Sequence, residues 1–236
     1  MRKLIVLLAV ALLALPVALS AQTFTGSLVT PSGVFATPLW DHSNGGFKIS
    51  WEVTKLGDGS WSYDYTLSNA QDYDLAKSPS HLIVEISPNA TCDDFWGFKW
   101  NGTNTNDWEI NTYSSANPSN PGMPAPLYSV KINSGGNSGI ETYSFISSRA
   151  PTWGNFYAKD GKYDQEPVYA YNADYLDQNP MVAPQDGLLH DVTGAPIYKI
   201  LRPDTHTDIT PEPTSMLLLG TGLLGLGFIR RRKSTK

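Results

Sequence analysis

The chain has 236 residues, with 41% hydrophobic and 17% charged side chains, and it is rich in Gly (20), Pro (17) and aromatic residues (7 Trp, 12 Tyr, 8 Phe). That composition excludes a coiled coil and a wholly disordered chain, and a single cysteine excludes both an intramolecular disulfide framework and a cysteine-rich zinc module. Between residues 22 and 210, ten basic side chains face 21 acidic ones, a net charge near −11 that repels phosphate backbones and anionic lipid, so nucleic acid is not an expected partner.

The N-terminus reads Met1-Arg2-Lys3, then an apolar run from Leu4 to Leu19 interrupted only by Pro16, then Ala18-Leu19-Ser20 with small residues two positions apart. A basic start, a short apolar core and a small-x-small site describe a secretory signal peptide over residues 1–21, cut by signal peptidase after Ser20 or Ala21.

The body, expected over residues 22–204, has the period of strands. Phe47, Ile49, Trp51 and Val53 alternate with polar residues, as do Trp61, Tyr63, Tyr65 and Leu67. Lys55-Leu56-Gly57-Asp58-Gly59-Ser60 between them is a turn sequence, which predicts a β-hairpin with one buried aromatic face. Leu82 to Ile86 reads as a more deeply buried strand. Further strands are predicted at residues 95–100, 127–132, 142–146, 155–158, 168–171 and 197–201, with no amphipathic helix of ten residues. Many short strands separated by Gly, Pro and Asn predict an all-β body, an antiparallel sandwich or jelly roll. Asn111–Pro126 and Asn172–Gly187 are expected as long loops, either functional or mobile.

The body carries no nucleophile elbow, zinc-protease motif or phosphate loop. His81 and Glu85 share strand parity but stand roughly 13 Å apart, so only a substrate could bridge them; as plain polar residues they need no site at all. Asp160-Gly161-Lys162-Tyr163-Asp164 offers oxygen ligands for a structural calcium, or serves as a simple turn. No other cofactor is expected. Trp96, Trp100 and Trp108 lie among Asn, Asp and Gly, where exposed rings would stack on sugar and nearby amides would take its hydroxyls. The same rings, with Phe98 sharing the parity of Trp96 and Trp100, would equally serve a core.

A short polar linker, residues 205–210, leads to Pro211-Glu212-Pro213, an uncharged Leu- and Gly-rich stretch over 214–229, and Arg230-Arg231-Arg232-Lys233. As a helix the stretch spans roughly 24 Å, slightly short of a hydrocarbon core of about 30 Å, yet able to insert if the bilayer thins. The basic cluster is expected to stay cytoplasmic and leave the body outside.

This order of tripeptide, helix and basic stop at residues 211–236 closely resembles the PEP-CTERM sorting signal of Gram-negative bacteria. The resemblance implies a substrate of exosortase, a membrane-embedded protease-transpeptidase, in bacteria that build an exopolysaccharide matrix. Ser80–Pro88 and Trp153–Lys159 resemble segments that recur in secreted bodies carrying such tails. The expectation is therefore a non-catalytic surface or matrix protein, associated with exopolysaccharide or biofilm after an inner-membrane intermediate. A glycan-binding module or adhesin is the first alternative, and a carboxylate-dependent hydrolase the second.

Overall fold

The computed structural model describes residues 22–136, 139–177, 189–190 and 194–204. The expected signal peptide, the linker and the tail with its membrane helix over 214–229 lie outside these residues. In chain order the strands are β1 (Thr23–Val29), β2 (Val34–Ala36), β3 (Lys48–Lys55), β4 (Trp61–Ser68), β5 (His81–Glu85), β6 (Phe95–Trp100), β7 (Thr103–Asn104) and β8 (Trp108–Tyr113). They continue with β9 (Leu127–Asn133), β10 (Glu141–Ser147), β11 (Pro151–Gly154), β12 (Phe156–Tyr163), β13 (Glu166–Asn172), β14 (Leu189–His190), β15 (Pro196–Ile197) and β16 (Ile200–Pro203). Among the described residues the only helical segments are two 3-10 turns, His42–Asn44 and Cys92–Asp94.

Two six-stranded antiparallel sheets dominate. The first has the order β1-β3-β4-β10-β6-β7 and the second β2-β13-β12-β5-β9-β8; β11 pairs with β16, and β14 with β15. The expected hairpin is present, with β3 and β4 in register from Lys48 opposite Ser68 to Lys55 opposite Trp61. Its aromatic face enters the core. Ile49, Trp51, Val53, Tyr63, Tyr65 and Leu67 from the first sheet share one buried cluster with Leu82, Val84, Val130, Ile132, Phe156 and Ala158 from the second. The body is thus a β-sandwich, and each fully buried apolar side chain contributes about 1.5–3 kcal/mol of transfer free energy. Phe47 stacks on Phe156 at 6.1 Å, and Trp51 meets Trp153 edge-on at 6.3 Å.

Three local expectations need correction. The loop expected from Asn111 begins after Tyr113, because β8 runs on and pairs Tyr113 with Leu127. The strand expected over 197–201 is broken, since β15 ends at Ile197 and β16 begins at Ile200. Trp96, Phe98 and Trp100 do not share a face. Gly97 has φ +65°, and the pairing of β6 with β10 slips between Ser144 and Ile146. This bulge inserts one residue, so Phe95 and Phe98 point into the core while Trp96 points away.

A buried polar network locks the last strand. Arg149 donates to the Asn89 side chain at 3.0 Å and to the Asp204 carbonyl at 2.8 Å, and pairs with Asp94 at 2.9 Å. Arg202 donates to Ser87 Oγ at 2.9 Å and faces Glu85 at 3.6 Å. Lys199, fully buried, donates to Asn155 Oδ1 at 2.8 Å and to the carbonyls of Asp174 and Asp177. Buried cations must be partnered in this way, because an uncompensated charge in a core costs several kcal/mol. Burial pushes the Lys199 ammonium down from its ordinary range, while Glu85, Asp177 and Asp174 pull it back.

Candidate functional site

The outward faces of the two sheets differ in chemistry. On the second sheet a strip of the outward side chains is aromatic. Phe35 of β2 stacks on Tyr171 of β13 at 4.8 Å and lies 6.2 Å from Tyr169. Tyr169 stacks on Tyr157 of β12 at 6.0 Å, and Tyr157 on His81 of β5 at 6.4 Å. Strand pairing puts Phe35, Tyr171 and Tyr157 in one cross-strand row and Tyr169 and His81 in the next, so the stacked rings zigzag between two adjacent rows across four strands, with interplanar angles of 30° or less.

Residues 114–126 roof one end of this strip. Met123 and Leu127 pack with Ile83, Tyr113, Tyr157 and Tyr175 in a second buried cluster. Tyr157 Oη donates to the Pro121 carbonyl at 2.7 Å and Tyr175 Oη to the Ala125 carbonyl at 3.3 Å. Gly122, at φ +69°, lies so close to the Tyr169 ring that any Cβ would overlap it. His81 sits under the roof, 5% exposed, and shares a hydrogen bond of 3.3 Å between Nδ1 and Ser80 Oγ. Burial, reinforced by Lys131 and Lys159, pushes its pKa down to about 3.

The other end of the strip is open. Phe35 is 45% exposed. Together with Tyr171 it lines a cleft of about 350 Å³ whose other lining residues include Thr30, Asp41 and His42. Asp41 Oδ1 accepts from the Ser43 N–H at 2.9 Å and from its hydroxyl at 2.5 Å. Those bonds, the hydroxyl's first, hold the Asp41 carboxyl below the usual carboxylate range.

The outward face of the first sheet is polar. Thr25, Glu52, Asp64, Ser144 and Lys99 stand opposite one another across five strands, and a parallel row holds Ser50, Thr66 and Thr142. These residues line a shallow groove of about 590 Å³. Glu52 and Asp64 are both exposed and directly opposite.

The three tryptophans singled out by sequence do not form one exposed row. Trp96 is 41% exposed and lies across from Ile146. Trp100 packs against the core and donates its indole N–H to Glu141 Oε2. Trp108 belongs to the other sheet and stacks on Phe98 at 4.0 Å, closing the sandwich at that end. His81 and Glu85 do share the outward face, but Glu85 accepts from the Asn155 N–H at 2.7 Å and faces Arg202, whereas His81 lies under the roof. Of the calcium candidates, Asp160 pairs with Lys77 at 2.5 Å, and Asp164 with Gln165 makes the two-residue turn between β12 and β13, both at positive φ.

Residues 210–233 match the PEP-CTERM protein-sorting motif. The tail is a PEP-CTERM sorting signal. It contains Pro211, Glu212 and Pro213 at its head and Arg230 to Lys233 at its basic end, and it marks an exported, exosortase-targeted protein with a membrane-anchored intermediate. Nothing among the curated proteins or the solved structures matches the chain.

Behind this sorting signal, the residues that sequence reasoning missed are Phe35 and Tyr171. Tyr171 had a visible cue, since Tyr169 and Tyr171 alternate with Val168 and Ala170 and so had to face away from them. Phe35 had none, because its strand is only three residues long.

Proposed function

We propose that the body is a non-catalytic surface or matrix protein, delivered to the cell exterior by the sorting signal and associated there with exopolysaccharide. In this reading the tail crosses the inner membrane with its basic end in the cytoplasm. Exosortase cuts near Pro211-Glu212-Pro213, and signal peptidase removes the leader. The observation that carries the reading is the motif at 210–233. The body adds support. The carboxylate pair Glu52 and Asp64 lies exposed on an open sheet face, without the enclosed, water-excluding cleft in which paired carboxylates work on a substrate. Epitope tags on either side of Pro211, followed in hosts with and without exosortase, test the processing. Separation of the tags, with the body tag in the matrix fraction, is expected only when exosortase is present. One full-length membrane species in both hosts would defeat the reading.

A second reading, a glycan-binding module, is favoured by the open end of the aromatic strip.

A further inference from the structure

We propose that the cleft formed by Phe35 and Tyr171 binds a neutral polysaccharide, with one pyranose ring lying flat on the exposed face of Phe35. The proposal deepens the glycan-binding reading by giving it an address.

The platform is preformed. A single exposed phenylalanine is ordinary on a protein surface, but Phe35 is the open end of a zigzag of stacked rings. Tyr171 and Tyr169 back it at 4.8 and 6.2 Å, so little side-chain freedom remains to be lost on binding. Strand β2 pairs with β13 on one side only, which leaves the ring at the sheet edge where a long polymer can pass.

The cleft is amphipathic in the way a sugar is. A pyranose presents C–H groups on its face and hydroxyls around its rim. The lining here combines the aromatic Phe35 and Tyr171 and small apolar residues with the polar Asp41, His42 and Thr30. Asp41 is fixed by Ser43 and can only accept, which suits sugar hydroxyls. A volume of about 350 Å³ is at the small end of ligand sites, enough for a sugar unit or two rather than a folded partner.

Charge selects the class of glycan. The net charge near −11 between residues 22 and 210 repels uronate-rich and sulfated polymers. Uncharged polysaccharide is left as the occupant that satisfies both the aromatic and the polar lining.

Affinity electrophoresis of the full chain in a non-ionic detergent tests this, in gels cast with dextran, laminarin, galactomannan or alginate. At least one neutral polymer is expected to retard the protein, and alginate is not. Phe35→Ala and Tyr171→Ala should each weaken that retardation about tenfold, whereas Phe35→Trp and Trp96→Ala should keep it. Phe35 is nearly half exposed, so its replacement leaves the fold intact, and an unchanged thermal midpoint verifies that. If no neutral polymer retards the protein, the glycan-binding reading itself fails. If retardation survives Phe35→Ala, or is lost in Trp96→Ala instead, that reading stands and the site is wrong. If Phe35→Ala converts a dimer into a monomer on sedimentation, the ring serves self-association and the proposal is overturned.

Discussion

The two sheets are built from the same alternating backbone, yet their outward faces meet different surroundings. On the first sheet every second residue of β3 and β4 is Ser, Thr or charged, β10 adds Thr142 and Ser144 before Ile146, and the face is solvated. On the second, the outward positions of β5 and β12 carry Ile83 and Tyr157, and residues 114–126 cover them. Four prolines in that segment limit its freedom before folding, and its carbonyls at Pro121 and Ala125 accept from tyrosine hydroxyls of the sheet. An outward aromatic face is tolerable where such a roof exists. Where the roof ends, at Phe35, the same chemistry becomes a surface that can receive a ligand.

The largest test of this contrast is a pair of truncations. Tyr157→Ala should cost about 3–5 kcal/mol, because a fully buried ring and the roof's main hydrogen bond are lost together. Thr66→Ala on the first sheet should stay within about 0.5 kcal/mol. Urea unfolding measures both, and limited proteolysis should find the 114–126 segment newly cleavable only in the Tyr157 variant. Equal costs would mean that the roof adds nothing.

A second pair tests the bulge at Gly97. Trp100→Ala should lose about 3 kcal/mol, since the ring packs on the core and its N–H donates to Oε2 of buried Glu141. Trp96→Ala, four residues earlier and facing outward, should be nearly neutral. Similar losses would show that the two rings share a face after all.

The legible and illegible parts of the body separate along the same line. Residues 47–68 could be read because one face is dry and the other wet, which makes the period visible. Leu82–Ile86 could be read as deeply buried, because Leu82, Ile83 and Val84 form the unbroken apolar run of a strand covered on both faces. What covers it could not be read, since 114–126 has no periodicity and its contacts are long-range. The bulge was hidden because one glycine between Trp96 and Phe98 looks like any strand residue until its φ is known. The sorting tail was the most legible part, because it is recognised as a linear signal rather than through a fold.

The roof also predicts a pH dependence. The ordinary imidazole value of 6.5 falls to about 3 at His81, through burial first and then Lys131 and Lys159. The folded protein therefore keeps this ring neutral while the unfolded chain takes up a proton as the pH drops below 6.5. The stabilisation is fully present above that value and is lost progressively down to about pH 3, at no more than about 1.4 kcal/mol per pH unit. His81→Gln should flatten urea stability between pH 6 and pH 4.5 relative to the parent. Asp41, Asp58 and Asp72, whose carboxyls are held below 3.8, act beneath that window. An unchanged slope would place His81 in contact with water and open the roof.

The smallest effect belongs to the solvated face. Glu52 and Asp64 stand directly opposite on β3 and β4, and like charges in that position are destabilising. Asp64 also accepts from Ser62 Oγ at 2.7 Å, so Glu52 is the partner whose replacement disturbs less. Glu52→Lys turns the pair into an attraction and should raise stability by about 0.2–1 kcal/mol. Because both groups are exposed, the gain should shrink as ionic strength rises towards 1 M, where the Debye length falls to about 3 Å. Glu52→Gln separates removal of repulsion from gain of attraction and should recover roughly half of the effect. A loss of stability in both variants would mean that Glu52 holds a partner on this face, and that the first sheet's outer surface is more than a solvated layer.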